Sequence, residues 1–254
     1  MIQKIRSLVG AMLVLVVLSG CLEMESVISL KKDGSGTLTE TMKMGAQAAM
    51  MMQMRPVEGP DNPMARFDEG HLKENAKTMG EGVEFLGVEK TEEADGSLTY
   101  VISYKFADIS NLVYNTSSFL ETEAAPLAES EKMFSYQDGE LTIAVPEPNQ
   151  ENFAIGNQEI PEEQLAMMAP MMAGMKGSVQ IVCEGGIEST NATYHEGDTV
   201  TLMTMDFDEI LKNEEGLMAV SKLKGENREE FAKAAAEVKG IEIETKAEVK
   251  IKLK

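Results

Sequence analysis

The stretch Leu22–Met44, LEMESVISLKKDGSGTLTETMKM, decides the fold. Two strand-like runs flank Asp33-Gly34 and Ser35-Gly36. These pairs tolerate positive φ and supply turn chemistry, so the segment reads as a β-hairpin. The same pattern recurs. A second hairpin spans about Val83 to Phe106 around Asp95-Gly96, and its return arm LTYVISYKF alternates Leu98, Tyr100, Ile102, Tyr104 and Phe106. A third, MFSYQDGELTIAV, turns at Asp138-Gly139. Further strands are expected at Val179–Cys183 and Thr199–Met205. Repeated hairpins imply antiparallel sheet. The C-terminal IEIETKAEVKIKLK reads as one long strand: Ile241, Ile243, Ala247, Val249, Ile251 and Leu253 share one face, and Glu242, Glu244, Lys246, Glu248, Lys250, Lys252 and Lys254 the other. Such alternation marks a half-buried strand. The closing lysines suit an edge that resists pairing.

Helices are predicted between the hairpins. Asn62-Pro63 read as a cap and first helical position, with Gly80 as the stop and Met64, Phe67, Leu72, Ala76 and Met79 inward. A second helix is predicted over Asn227–Lys239, ended by Gly240, with Phe231, Ala234, Ala235 and Val238 as its apolar stripe. Asn111–Lys132 reads as an irregular surface excursion. The expected fold class is therefore α+β: antiparallel sheet with a long C-terminal strand and with methionine-rich and amphipathic helices packed on it.

Upstream of the first hairpin the sequence changes character. Lys4 and Arg6 precede an apolar run, Leu8–Leu18, which ends at Ser19, Gly20 and Cys21. A membrane-spanning helix needs about 20 apolar residues. A run of about 7–15 is the length of a signal-peptide core. Leu18-Ser19-Gly20-Cys21 resembles the bacterial lipobox. That resemblance implies a diacylglycerol thioether on Cys21, cleavage before it, and a lipid-anchored envelope protein. Two acyl chains suffice for stable anchoring. Residues 1–20 are then a lipoprotein signal peptide and 21–254 a single ectodomain. Leu22 stands where an aspartate often retains Gram-negative lipoproteins at the inner membrane, so the outer membrane is expected if there is one. Otherwise the outer face of the cell membrane is the expected site.

The chain carries 43 acidic against 23 basic residues, a formal charge of −20. Lys4 and Arg6 lie in the leader, so the exported protein is more negative still. That charge repels nucleic acid and anionic headgroups, so no nucleic-acid partner is expected. Cys183 is the other cysteine, and with Cys21 acylated it has no disulfide partner. It sits in the strand-like SVQIVCEGG and reads as a buried thiol.

Catalytic constellations are missing. His71 falls on the flank of a predicted helix and His195 in a polar turn. No nucleophile elbow, zinc-binding helix, phosphate loop or paired C-x-x-C occurs. Asp206, Asp208 and Glu209 suit either a hard cation or, more simply, a helix cap. Asn115-Thr116-Ser117 and Asn191-Ala192-Thr193 match a glycosylation pattern by chance. The protein is expected not to be an enzyme, and to hold no cofactor beyond the acyl group on Cys21.

Two methionine-rich stretches stand out: GAQAAMMMQM (Gly45–Met54), with Met50, Met51, Met52 and Met54, and EEQLAMMAPMMAGMKG (Glu162–Gly177), with Leu165, Met167, Met168, Met171, Met172 and Met175. Three readings stay open. They are core, since methionine fills irregular gaps; or an adaptable apolar surface for a lipid, acyl chain or envelope protein partner; or a soft-metal site for Cu(I). No histidine or cysteine accompanies them, and no metal site is assigned. Non-enzymatic binding of an apolar ligand or partner is the expected function. A structural or assembly role without a small ligand is the alternative.

Two motifs are similar to LppM-type bacterial lipoproteins and related uncharacterised families. One is SVISLKKDGSGTLTETM, shortly after the cysteine. The other is GGIESTNATYHEGDTVTLMTMD (Gly185–Asp206), where Gly186, Ile187, Asn191, Gly197, Asp198 and Val200 fit the pattern. Cys183-Glu184-Gly185 departs from it, and Met203 stands near a common tryptophan position. The resemblance implies an α+β or β-rich envelope domain without assigned catalysis, with lipid or glycolipid binding proposed for some relatives.

Overall fold

The computed structural model describes residues 22–54, 64–114, 132–146, 167, 169–170, 172–213, 216–221, 223 and 227–254. Cys21, the leader, and the expected cap at Asn62-Pro63 lie outside these residues. The fold is α+β. An eight-stranded sheet contains β1 (Leu22–Leu30), β2 (Gly36–Met44), β3 (Val83–Glu92), β4 (Leu98–Phe106), β7 (Lys176–Cys183), β9 (His195–Glu196), β10 (Thr199–Asp206) and β11 (Ile241–Ile243). Its order is β11-β10-β7-β1-β2-β4-β3, with β9 beside β10. A four-stranded sheet holds β5 (Phe134–Gln137), β6 (Glu140–Ala144), β12 (Glu248–Leu253) and β8 (Ile187–Thr190) in the order β5-β6-β12-β8.

The expected hairpins form. In the first two, one aspartate oxygen takes both the amide and the hydroxyl of the serine two residues on. The bonds are 3.0 and 2.6 Å at Asp33–Ser35, and 2.9 and 2.7 Å at Asp95–Ser97. Gly34 and Gly96 carry the positive φ that each turn needs, 86° and 87°. The register between β1 and β2 is unbroken, so Ile28, Leu30, Leu38, Met42 and Met44 all face one buried side. One pairing departs from antiparallel: β1 runs parallel to β7, Glu23 opposite Lys176 through Leu30 opposite Cys183. A parallel neighbour needs a long crossover, and more than a hundred residues separate the two strands.

The C-terminal segment is two strands, not one. Ile241–Ile243 pairs with β10 in the large sheet, and Glu248–Leu253 joins β6 and β8 in the small one. Between them the alternation fails: Glu244 is buried and Ala247 exposed, the reverse of the expected faces. Glu244 explains the crossing. Its amide donates to the Leu202 carbonyl of β10 at 2.8 Å. Its carboxylate accepts from the Thr193 amide at 2.6 Å, the Thr193 hydroxyl at 2.9 Å and the Lys246 amide at 3.0 Å. Asn191 completes the joint, taking the Lys250 amide at 2.6 Å and donating to the Glu248 carbonyl at 3.1 Å. Asn191 and Thr193 are structural groups here.

The small sheet packs at the Gly34 end. The Tyr136 hydroxyl donates to the Lys32 carbonyl at 2.6 Å, and its ring lies where a Gly34 side chain would be. The predicted helix before Gly80 is broken. Ala65–Phe67 form one 3-10 turn, and helix α2 spans Glu69–Thr78. Phe67 stacks on Tyr100, ring centroids 4.4 Å apart, worth roughly 0.5–1.5 kcal/mol beyond its burial. The later helix runs Arg228–Ala236, capped by Asn227, whose side chain accepts the Glu229 and Glu230 amides. Part of the expected surface excursion is core instead: Leu112 and Tyr114 are buried. Gly80, at φ 120°, lets this segment close in. An added Cβ would lie 1.8 Å from the Asn111 carbonyl oxygen, and the Val113 amide donates to Met79 at 2.7 Å.

Candidate functional site

Strand register gathers the notable sequence features at one end of the large sheet. Leu22 lies opposite Met44, Met44 opposite Leu98, and Glu23 opposite Lys176. The chain therefore enters β1 next to the point where β2 leaves and β7 begins. Helix α1 (Ala46–Gln53) follows β2 directly. It has no side-chain cap and no charge in its end turns. So short a helix is marginal in isolation. Packing through Ala49, 1% exposed, and Ala48 holds it to the core. Met50 and Met51 point away, 60% and 61% exposed, as does Met54 at its C-cap, 72% exposed. Met167, at 71%, adds a fourth exposed methionine, while Met172 and Met175, just before β7, pack partly against the core. Leu165, Met168, Met171 and the side chain of Met52 lie outside the described residues.

A groove of about 320 Å³ opens on the outer face of the sheet near this end, lined among others by Glu25, Thr41, Ser178 and Gln180. Two ion pairs border it, Lys43–Glu23 at 3.0 Å and Lys176–Asp206 at 2.9 Å. The hydrogen bond that Lys176 donates to Asp206 holds its ammonium above its ordinary pKa. Asp206 is also a helix cap, accepting the Asp208 and Glu209 amides at 3.0 and 3.2 Å. Asp208 accepts the Gly174 amide at 2.7 Å. These carboxylates are occupied by capping, and no acidic, histidine or cysteine cluster of metal-binding size occurs among the described residues. Asp206→Ala removes the cap and one ion-pair partner. An exposed cap costs about 1 kcal/mol, so the expected loss in urea unfolding is of that size.

The inner face of the sheet holds a group that the sequence reading missed. Glu40 sits in the same register as Leu38 and Met42 and pairs with Ser26 on β1 and Ile102 on β4. Ser26 is 3% exposed. Burial pushes the Glu40 carboxyl up to about 7. Its charge in turn adds to the burial that raises the Tyr104 and Tyr114 hydroxyls. Tyr114 lies beside this spot, and among the described residues its buried hydroxyl makes no hydrogen bond of good geometry. The signal for Glu40 was present: in TLTETMKM it falls on the apolar phase of the strand. Ser26 likewise lies between Met24 and Ile28.

No protein-family profile matches the chain, and no curated protein does. Among solved structures it is similar to the folded domain of Mycobacterium tuberculosis LppM, determined by NMR. That likeness covers 72% of this chain and 81% of the other at 13% identity, with a TM-score of 0.27. An overlap that loose carries no argument about fold or function.

The motif around Asn191 now has a physical account. Gly186 accepts the Lys254 amide, Gly197 makes the turn into β10, the Asp198 carbonyl accepts the Cys183 amide, and Val200 is fully buried. These residues build the sheet joint. Cys183 is fully buried and free, its thiol pushed up to about 11 by burial and by Asp198. That makes it a poor nucleophile. His71 and His195 are exposed.

Proposed function

We propose that this is an envelope lipoprotein, anchored by acylated Cys21, whose anchor-side end engages the apolar chains of lipid. The supporting observation is the shared location of two features. β1 starts one residue after Cys21, and its first residue pairs with Met44, from which α1 carries Met50, Met51 and Met54 outward. A lipid on Cys21 would bring this end against the bilayer. Exposed methionines are flexible and polarisable, suited to irregular apolar contacts. Among the described residues no helix is long and apolar enough to cross a membrane. The strong negative charge disfavours docking on anionic headgroups. Shallow apolar contact beside a covalent anchor fits both facts. The chemistry is binding, not catalysis.

The chain contains no tryptophan, so a single one reports its own surroundings. Met51→Trp in the acylated protein, reconstituted in bilayers with brominated phosphatidylcholine, is expected to emit blue-shifted light and be quenched. Glu184→Trp, beside the far end of β1 where its amide meets the Leu30 carbonyl, is expected to show neither. Unquenched, water-like emission from Met51→Trp would sink the proposal. Cys21→Ser is expected to release the protein from membranes in carbonate washing, and retention would remove the anchor.

A further inference from the structure

The outer face of the large sheet carries an unusual pattern of charge. Its residues on β1, β2, β4, β7 and β10 are all half-buried or exposed, so none of them is core. In a chain with 43 acidic and 23 basic residues, a face open to water is expected to be charged throughout. Across its middle, register instead sets Ser103, Thr39, Val27, Gln180 and Thr201 side by side. Short side chains without charge are what the centre of a protein interface shows. The charges gather in two rows across the strands. At the anchor-side end Lys43, Glu23, Lys176 and Asp206 stand in register on β2, β1, β7 and β10, so their signs alternate. At the far end Ser29 and Val182 are central. Lys105 lies two strands beyond Ser29, and Glu196 two strands beyond Val182. On those five strands Glu25 is the one charge between the rows.

We propose that this face is the interface of a homodimer, two copies packed sheet to sheet about a two-fold axis that runs parallel to the strands between β1 and β7. Such an axis makes one patch its own partner. It sets Lys43 over Asp206 of the second copy, Glu23 over Lys176, and Lys105 over Glu196. Each of these charges meets its opposite, and Glu25 meets the hydroxyl of Ser178. Like-charge contacts, which would reject the pairing, are absent from the two rows. Copies related in this way point in the same direction, so both acylated ends reach one bilayer; that shared direction rests on the lipid-facing reading above. An axis across the strands would send the two anchors to opposite ends. The strands from β4 to β9 span about 24 Å, and the rows from Glu23 to Ser29 about 20 Å along the strands. Two copies together then cover about 1,000 Å², the lower end for a specific interface. Such a dimer is weak in dilute solution. Anchoring both copies in one membrane raises their effective concentration and favours the pair without a new contact.

The test uses the full acylated chain in phosphatidylcholine vesicles with a short bismaleimide crosslinker. Cys183 is fully buried and Cys21 carries lipid, so an introduced cysteine is the reactive one. Packed sheets lie about 10 Å apart, which sets Val27 about 11 Å from its counterpart and Ser103 about 26 Å from its own. Val27→Cys is therefore expected to give covalent dimer, and Ser103→Cys several-fold less. Adding Lys105→Glu to Val27→Cys is expected to cut the dimer several-fold by setting like charge against Glu196. Adding Glu196→Lys as well is expected to restore it. Lys105 also pairs with Glu84 of its own copy at 3.0 Å, which the second substitution does not repair. Positions 105 and 196 lie about 24 Å apart within one copy, so the rescue passes between copies. No dimer from Val27→Cys, equal dimer from Ser103→Cys, or no response to Lys105→Glu would overturn the interface, as would a loss that Glu196→Lys does not rescue. Met51→Trp in the same vesicles separates the two readings. Quenching without covalent dimer would overturn the dimer alone, and covalent dimer without quenching the lipid contact alone.

Discussion

Glu40→Gln is expected to stabilise the protein at pH 8 by up to about 3 kcal/mol and to leave stability unchanged below about pH 4. Burial raises the folded carboxyl from its ordinary 4.5 to about 7. Between those values the folded protein holds a proton that the unfolded chain has released. Stability therefore falls as pH rises through that window, and the full cost persists above it. A tenfold change in proton affinity corresponds to about 1.36 kcal/mol, and partial access of water makes the total an upper bound. Glutamine keeps the shape and carries no charge at any pH. Tyr104 and Tyr114 face the same space but stay neutral, both being raised above their ordinary range. Asp33 and Asp95 are held low by Ser35 and Ser97. They titrate in both proteins and cancel from the comparison. Urea unfolding of the two proteins across pH 4–8 measures the difference. A difference independent of pH would mean that the carboxyl is solvated.

Glu244→Ala is expected to cost about 3–4 kcal/mol, seen as a lower urea midpoint with an unchanged slope. The carboxylate is 2% exposed and accepts three hydrogen bonds. Removing it takes the partner from the Thr193 and Lys246 amides at a part-buried joint. It also unpins the point where the chain leaves the large sheet for the small one. Glu244→Gln is expected to lose about half as much. Its one oxygen can still serve the Thr193 hydroxyl and the Lys246 amide, but its amide nitrogen meets the Thr193 donor. A loss under about 1 kcal/mol for alanine would show that the two sheets hold the crossing without it.

Local chemistry made much of the fold readable in advance. The Asp-Gly-Ser turns, the helix start near Asn227 and the alternation of LTYVISYKF depend on neighbours within a few residues, and each stands where the sequence places it. The C-terminal segment shows where that logic stops. Its alternation is nearly continuous from Ile241 to Lys254, yet the chain changes sheets at Glu244 because distant partners at Leu202 and Thr193 satisfy its amide and its carboxylate.

The candidate site divides in the same way. The sequence by itself determined the lipobox-like entry to the chain, the two methionine-rich stretches and the phase of Glu40 within its strand. Tertiary structure alone decided that β1, α1 and the start of β7 share one end, because the parallel pairing of β1 with β7 joins segments more than a hundred residues apart. It also decided that Tyr114 comes beside Glu40, in a segment that packs closely against Gly80. Side-chain periodicity reports which face a residue takes. What stands opposite that face is set by contacts between residues far apart in sequence.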